Sequence, residues 1–179
     1  MTATETDPMI QLAAERGYTL VSAHEPADVL KKKADKYLRW AKAAGHRHPL
    51  KNLTNARFVY VADSKKQGMD DLRPAVTHEM DFQRRRGLLK FMCSAFHLPF
   101  TPEEATFDAM VEAGVYNVGD PDTIAERLKR IYDEGGGFGT LLIVTGKDWA
   151  TREKRARSMR LFMEQVAPQL RDLEATREA

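Results

Sequence analysis

Apolar residues keep helical spacing in some stretches of this chain and crowd into short runs in others, and the contrast lays out its elements. From Pro26 to Ala44, Leu30, Ala34, Tyr37, Leu38 and Ala41 share one face and Gly45 follows, which predicts an amphipathic helix. Ile124, Leu128 and Ile131 predict a second helix, with Asp120 as N-cap and Pro121 in the first helical position. Pro8 and Gly17 bracket a short helix over residues 8–16. The short runs Tyr18–Ser22, Ala56–Ala62 and Leu141–Val144 predict strands, the last without alternation, as for a strand covered on both faces.

The remaining segments are less regular. Residues 46–54 read as a loop, and Asp63-Ser64 as a cap for one long or broken helical region over 65–96, interrupted near Pro74 and Gly87. Residues 97–115 look irregular, with a short helix around Glu103–Glu112. Gly135 to Gly137 follow a helix and precede a strand, so they predict a helix stop and tight turn rather than a phosphate cradle. A closing helix is expected from about Trp149. The order is β-α-β-α, an insertion, then α-β-α, which predicts an α/β fold with parallel strands and right-handed crossover helices.

Composition narrows the function classes. The chain has 179 residues with 28 basic and 26 acidic side chains, a formal charge of +2, enough for one domain and no argument for nucleic acid or an anionic membrane. The Arg84-Arg85-Arg86 run reads as a solvated helix face, as does Lys31 to Lys33. A single cysteine, Cys93, permits no internal disulfide and reads as a buried small hydrophobe. No apolar run is long enough to span a bilayer and the polar, acidic start is unlike a signal peptide, so the expected location is cytoplasmic. No histidine spacing suggests a metal site.

The stretch from Gly119 to Pro168 carries a resemblance. Its Gly-Asp-Pro helix start, Gly137-Phe138-Gly139-Thr140 strand entry, Asp148-Trp149-Ala150 and Ser158-Met159-Arg160-Leu161-Phe162 through Val166-Ala167-Pro168 resemble the ending of the bacterial luciferase-like flavin monooxygenases, limonene monooxygenase-like branch. The resemblance implies a (β/α)₈ TIM barrel, which takes about 250 residues, so residues 1–179 would form a single domain equal to its C-terminal half. Residues 8–24 would then hold the helix after barrel strand five and strand six, residues 56–62 strand seven, 64–118 a long excursion and 139–145 strand eight. Half of a closed sheet exposes two edges and an apolar interior, which predicts a homo-oligomer or pairing with an N-terminal half.

The resemblance also implies a chemistry. Reduced FMN and O₂ would insert one oxygen atom into a small organic substrate, with a flavin reductase as electron source, while the protein binds the flavin, excludes water and orients the substrate. Sites in such barrels lie at the C-terminal ends of strands, here Ser22, Ala23 and His24, Asp63 and Ser64, and Thr145 and Gly146. His24, a titratable group just past a buried strand, is the catalytic candidate. The family's phosphate loop matches Ala3–Pro8, making Thr4 and Thr6 the cofactor-binding candidates. Glu5 and Asp7 stand about where the family has serines, and their carboxylates repel a phosphate. Two readings stay open: the C-terminal part of a flavin-dependent monooxygenase, inactive alone, and a non-catalytic half-barrel subunit that acts by pairing.

Overall fold

The structure, a computed structural model, describes residues 6–173. Helices α1 (Asp7–Glu15) and α2 (Ala27–Ala43) flank β1 (Leu20–Ala23), and a 3₁₀ turn, Pro49–Asn52, leads into β2 (Leu53–Val61). Then come α3 (Lys65–Arg85), α4 (Leu88–Ala95), α5 (Phe107–Glu112), β3 (Tyr116–Gly119), α6 (Pro121–Glu134) and β4 (Thr140–Val144). The end of the described chain is α7 (Arg152–Leu161), a π turn (Phe162–Val166), α8 (Ala167–Leu170) and a 3₁₀ turn, Arg171–Leu173. β2 is the strand to which the others pair, in parallel with β1 from Leu20↔Leu53 to Ala23↔Ala56 and with β3 from Phe58↔Tyr116 to Val61↔Gly119. The expected α/β class with parallel strands and crossover helices is what is found.

Two compact units divide the chain. Of the described residues, the first comprises 6–57, 128–143 and 172–173. Its core gathers Ile10, Ala13 and Ala14 of α1, Leu30, Ala34, Tyr37 and Ala41 of α2, Leu20, Leu53, Tyr132 and Phe138. The α2 positions are those of the helical face read from the sequence, now packed with Leu20 of β1 and Leu53 of β2. Gly136 and Gly137 sit at φ +85° and +84°, where any side chain would be strained, so the glycine run is the helix stop and turn that its position predicted.

The second unit comprises Phe58–Arg127 and Val144–Arg171. Met69, Leu72, Val76 and Met80 of α3 meet Leu89, Cys93, Phe107, Met110, Val111, Tyr116 and Trp149 in its core. Phe58 stacks on Tyr116 with ring centroids 5.1 Å apart, and Phe107 meets the same ring edge-on at 5.5 Å. Cys93 is buried, and that burial raises its thiol pKa, as suits a small hydrophobe.

Several expectations are corrected. The first strand starts at Leu20, not Tyr18; Tyr18 is 52% exposed and lends its carbonyl to the Tyr37 hydroxyl at 2.7 Å. Pro74 does not interrupt α3, because it lies on the exposed side while Leu72 and Val76 anchor the buried one; the break comes only at Gly87, φ +71°. Tyr116–Gly119, placed in an excursion, is a buried strand. The short helix before it starts at Phe107, where the Thr106 hydroxyl caps Ala109 N at 3.1 Å. The closing helix starts at Arg152 with Thr151 as cap, leaving Trp149 as a buried loop residue. β4 is not covered on both faces, since Leu142 is 46% exposed. Conversely, β2 presents no open face: it is buried throughout except at half-buried Phe58. Among the described residues no helix is long and apolar enough to cross a membrane.

Candidate functional site

In the first unit the exit of β1 carries a buried polar cluster. The His24 N–H donates to the Ala56 carbonyl at 3.1 Å, carrying the β1–β2 ladder one residue beyond the strand. His24 itself sits at φ +59°, a left-handed conformation uncommon for a residue with a side chain, and is buried. The chain turns there, and Glu25 comes to lie buried beside Lys33 from the second turn of α2, in direct ion-paired contact.

Arg57 of β2 completes the cluster. Its Nε donates to Asn55 Oδ1 at 2.6 Å and its Nη2 to the Glu25 carbonyl at 2.8 Å. Ser22 and Asn55 are register partners, and the Asn55 amide reaches the Ser22 carbonyl at 3.5 Å. Burial pushes the Arg57 pKa down to about 10, with the negative charge of Glu25 acting against that fall. Two cations therefore face one carboxylate out of water, and Glu25 Oε2 has no hydrogen-bond partner. The guanidinium bonds commit Arg57 to protein acceptors, so the group ties the exit of β1 to the middle of β2 and leaves Glu25 Oε2 as its open acceptor.

This cluster was not read from the sequence. Lys33 had been grouped with Lys31 and Lys32 on a solvated face; those two pair with Asp35 and Asp28 on the surface, but Lys33 is buried. Asn55 and Arg57 were the available signal, being polar residues two apart in an otherwise apolar strand.

The strand-end residues of the second unit have structural partners. Asp63 pairs with Arg157 at 2.6 Å, and the Ser64 hydroxyl caps α3 by accepting from Gln67 N at 3.2 Å. Thr145 and Gly146 follow β4, and Gly146 packs against the Trp149 indole. Arg84 pairs with Asp81 at 2.7 Å and Arg86 lies over the Phe82 ring at 5.1 Å, as expected of a solvated helix face. Among the described residues no group of three or more His, Cys, Asp or Glu could hold a metal ion.

Thr4 and Glu5 lie outside the described residues. Thr6 occupies the N-cap position of α1 without making a side-chain cap. Its carbonyl already accepts from Met9 N at 3.1 Å and Ile10 N at 3.0 Å, and Pro8 has no N–H. The Asp7 carboxylate stands at the same turn and pairs with Lys36 at 2.6 Å. A carboxylate at the start of α1 does not by itself suit a phosphate dianion.

The fold and the sequence have relatives. The chain matches the luciferase-like monooxygenase family over residues 1–137. It is 25% identical over 169 residues to 3,6-diketocamphane 1,6-monooxygenase of Pseudomonas putida, covering 91% of this chain and 44% of that protein. It is 26% identical over 112 residues to limonene 1,2-monooxygenase of Rhodococcus erythropolis, 62% of this chain and 27% of that one. The solved oxygenating constituent of the Pseudomonas putida 3,6-diketocamphane monooxygenase, a type II Baeyer–Villiger monooxygenase in complex with FMN, superposes with a TM-score of 0.73 at 26% identity. That match takes in 90% of this chain and 45% of the neighbour, so the chain spans less than half the length of these relatives. With a family match covering well over half of its residues and the parallel α/β architecture of one half of such a barrel, this chain belongs to the luciferase-like monooxygenases.

Proposed function

We propose that this chain is the C-terminal half of a flavin-dependent monooxygenase that inserts one oxygen atom from O₂ into a small organic substrate. The observation that carries the reading is the family match over residues 1–137 joined to a superposition on 45% of an FMN-bound oxygenase. Reduced FMN, regenerated by a flavin reductase, would supply the oxygen chemistry. The Glu25–Lys33–Arg57 cluster ties the exit of β1 to the middle of β2, so that His24 keeps one position at a strand end. His24 is the residue proposed to handle a proton there, and Thr6 the hydroxyl proposed to meet the flavin phosphate, with the other phosphate donors coming from outside the described residues. A (β/α)₈ site is built from the ends of strands all round the barrel, so activity requires the N-terminal half as a partner.

The test is oxygen transfer. The chain, mixed with a matching N-terminal half, FMN, NADH and a flavin reductase, is given ¹⁸O₂ and a panel of cyclic ketones and alkenes. Mass spectrometry should find one ¹⁸O atom in product from the pair and none from either half. The second reading, a non-catalytic half-barrel that acts by pairing, is favoured by the acidic residues at positions 5 and 7. It would be supported by a stable pair with no labelled product.

A further inference from the structure

A cleft of about 430 Å³ lies within the second unit, lined by Ala75, His78, Phe82 and Leu88 on one side and by Gly146 and Trp149 on the other. That volume is in the range of small-molecule sites, and like them it joins an apolar lining to few polar groups. The charged and amide groups at its rim are paired with one another: Gln83 donates to Glu79 at 3.1 Å, and Lys147 meets Asp148 at 3.4 Å in the open.

The indole of Trp149 differs from these. It is 2% exposed and packed at a tilt against the Phe58 and Tyr116 rings, with centroids at 5.4 and 5.5 Å, yet its Nε1–H has no hydrogen-bond partner. A buried donor left unmade costs about 1–3 kcal/mol, and a tryptophan nitrogen can only donate. The wall that covers it is a backbone wall. Nε1 lies against the α-carbon of Gly146 so closely that a Cβ there would overlap the ring. The same loop holds Ala150 at φ +51°, pinned by Arg155, whose Nη1 donates to the Trp149 and Ala150 carbonyls at 2.9 and 2.8 Å. An unmet donor at the wall of an apolar cavity is an arrangement that a ligand acceptor would satisfy.

We infer that this cleft binds a small, largely apolar molecule bearing one hydrogen-bond acceptor, which takes the Trp149 Nε1–H as the Gly146 segment moves aside. The site stands on the second unit alone and does not depend on flavin binding. Phe82 and Leu88 close over the apolar body of the ligand, and Trp149 reads its acceptor.

The full chain, labelled with ¹⁵N-tryptophan, gives two indole resonances, from Trp40 and Trp149, assigned with Trp40→Phe. Cyclohexanone is the probe, and methylenecyclohexane, of nearly the same shape but without the carbonyl, is its control. The ketone should move the Trp149 indole proton downfield in a saturable way and leave Trp40 unmoved, while the alkene should not shift it downfield. Phe82→Ala, at an exposed rim position, should weaken the ketone response about five-fold with the fold intact by circular dichroism, the loss of one apolar wall. Gly146→Ala should abolish the response. No saturable shift of Trp149, an equal downfield shift with both probes, or a full-strength response in folded Phe82→Ala would each overturn the assignment.

Discussion

Glu25→Gln removes the only carboxylate from a cluster that buries two cations, and its cost can be worked from the contacts. In the parent, Lys33 touches Glu25 and Arg57 binds the Glu25 carbonyl at 2.8 Å, all three residues being less than a tenth exposed. The substitution keeps shape and hydrogen-bonding capacity but leaves two like charges out of water with no counter-charge. Breaking a buried pair this way costs about 3–5 kcal/mol. For a chain of this size each kcal/mol lowers Tm by about 2–4 °C, so the melt should fall by about 6–20 °C. Lys33→Met is the control: it leaves Glu25 facing Arg57, one charge against one, and should cost less than half as much. The double variant should recover much of the Glu25→Gln loss, because the cost lies in an unmatched charge rather than in either side chain. Scanning calorimetry or a circular dichroism melt measures all four proteins. A Glu25→Gln melt within about 2 °C of the parent, or a double variant at the sum of the singles, would refute the idea that Glu25 balances this charge.

Asp120 accepts from Thr123 N at 3.0 Å and Thr123 Oγ1 at 2.8 Å, so Asp120→Ala should cost about 1 kcal/mol, read from urea melts. Those bonds hold its pKa below the ordinary 3.8, so its contribution is present above that pH and lost as pH falls through the folded value; the parent and variant melts should converge in acid. Ser158→Ala removes the hydroxyl that accepts from the buried Val61 N–H at 2.8 Å and should destabilise by about 1–3 kcal/mol, whereas Ser158→Thr should retain part of that, by the same melts. Sedimentation velocity should show the chain self-associating through exposed β4, and Leu142→Lys should shift it toward 20.3 kDa; a parent already at that mass would contradict this.

The fold was legible wherever local pattern and tertiary burial agree. The faces of α2 and α6, the Asp120 cap and the glycine stop at 135–137 follow from spacing and backbone chemistry that need no partner segment. β3 was not legible because Tyr-Asn-Val-Gly is four residues long, and its pairing and burial depend on β2, whose Phe58 is far away in sequence. Pro74 misled because its cost depends on which side of the helix it occupies, and here water meets the exposed side. The site was less legible than the fold. His24 was found from its place after a strand, but the Glu25–Lys33–Arg57 cluster joins three elements, and no spacing in the sequence brings a lysine on a basic helix face to a strand exit. The charge at Asp7 was read as repelling phosphate without its partner Lys36, which is 29 residues away.

Flavin binding tests the half-barrel reading most directly. FMN fluorescence is titrated with the chain alone, with a matching N-terminal half alone and with the two mixed, each checked for folding by circular dichroism. Neither half should bind measurably, the mixture should quench the flavin saturably, and Asp7→Ser should tighten that binding by exchanging a carboxylate for a hydroxyl and releasing the Lys36 ammonium at the start of α1. Tight binding by the unmodified chain alone, or no binding by a folded pair, would contradict it.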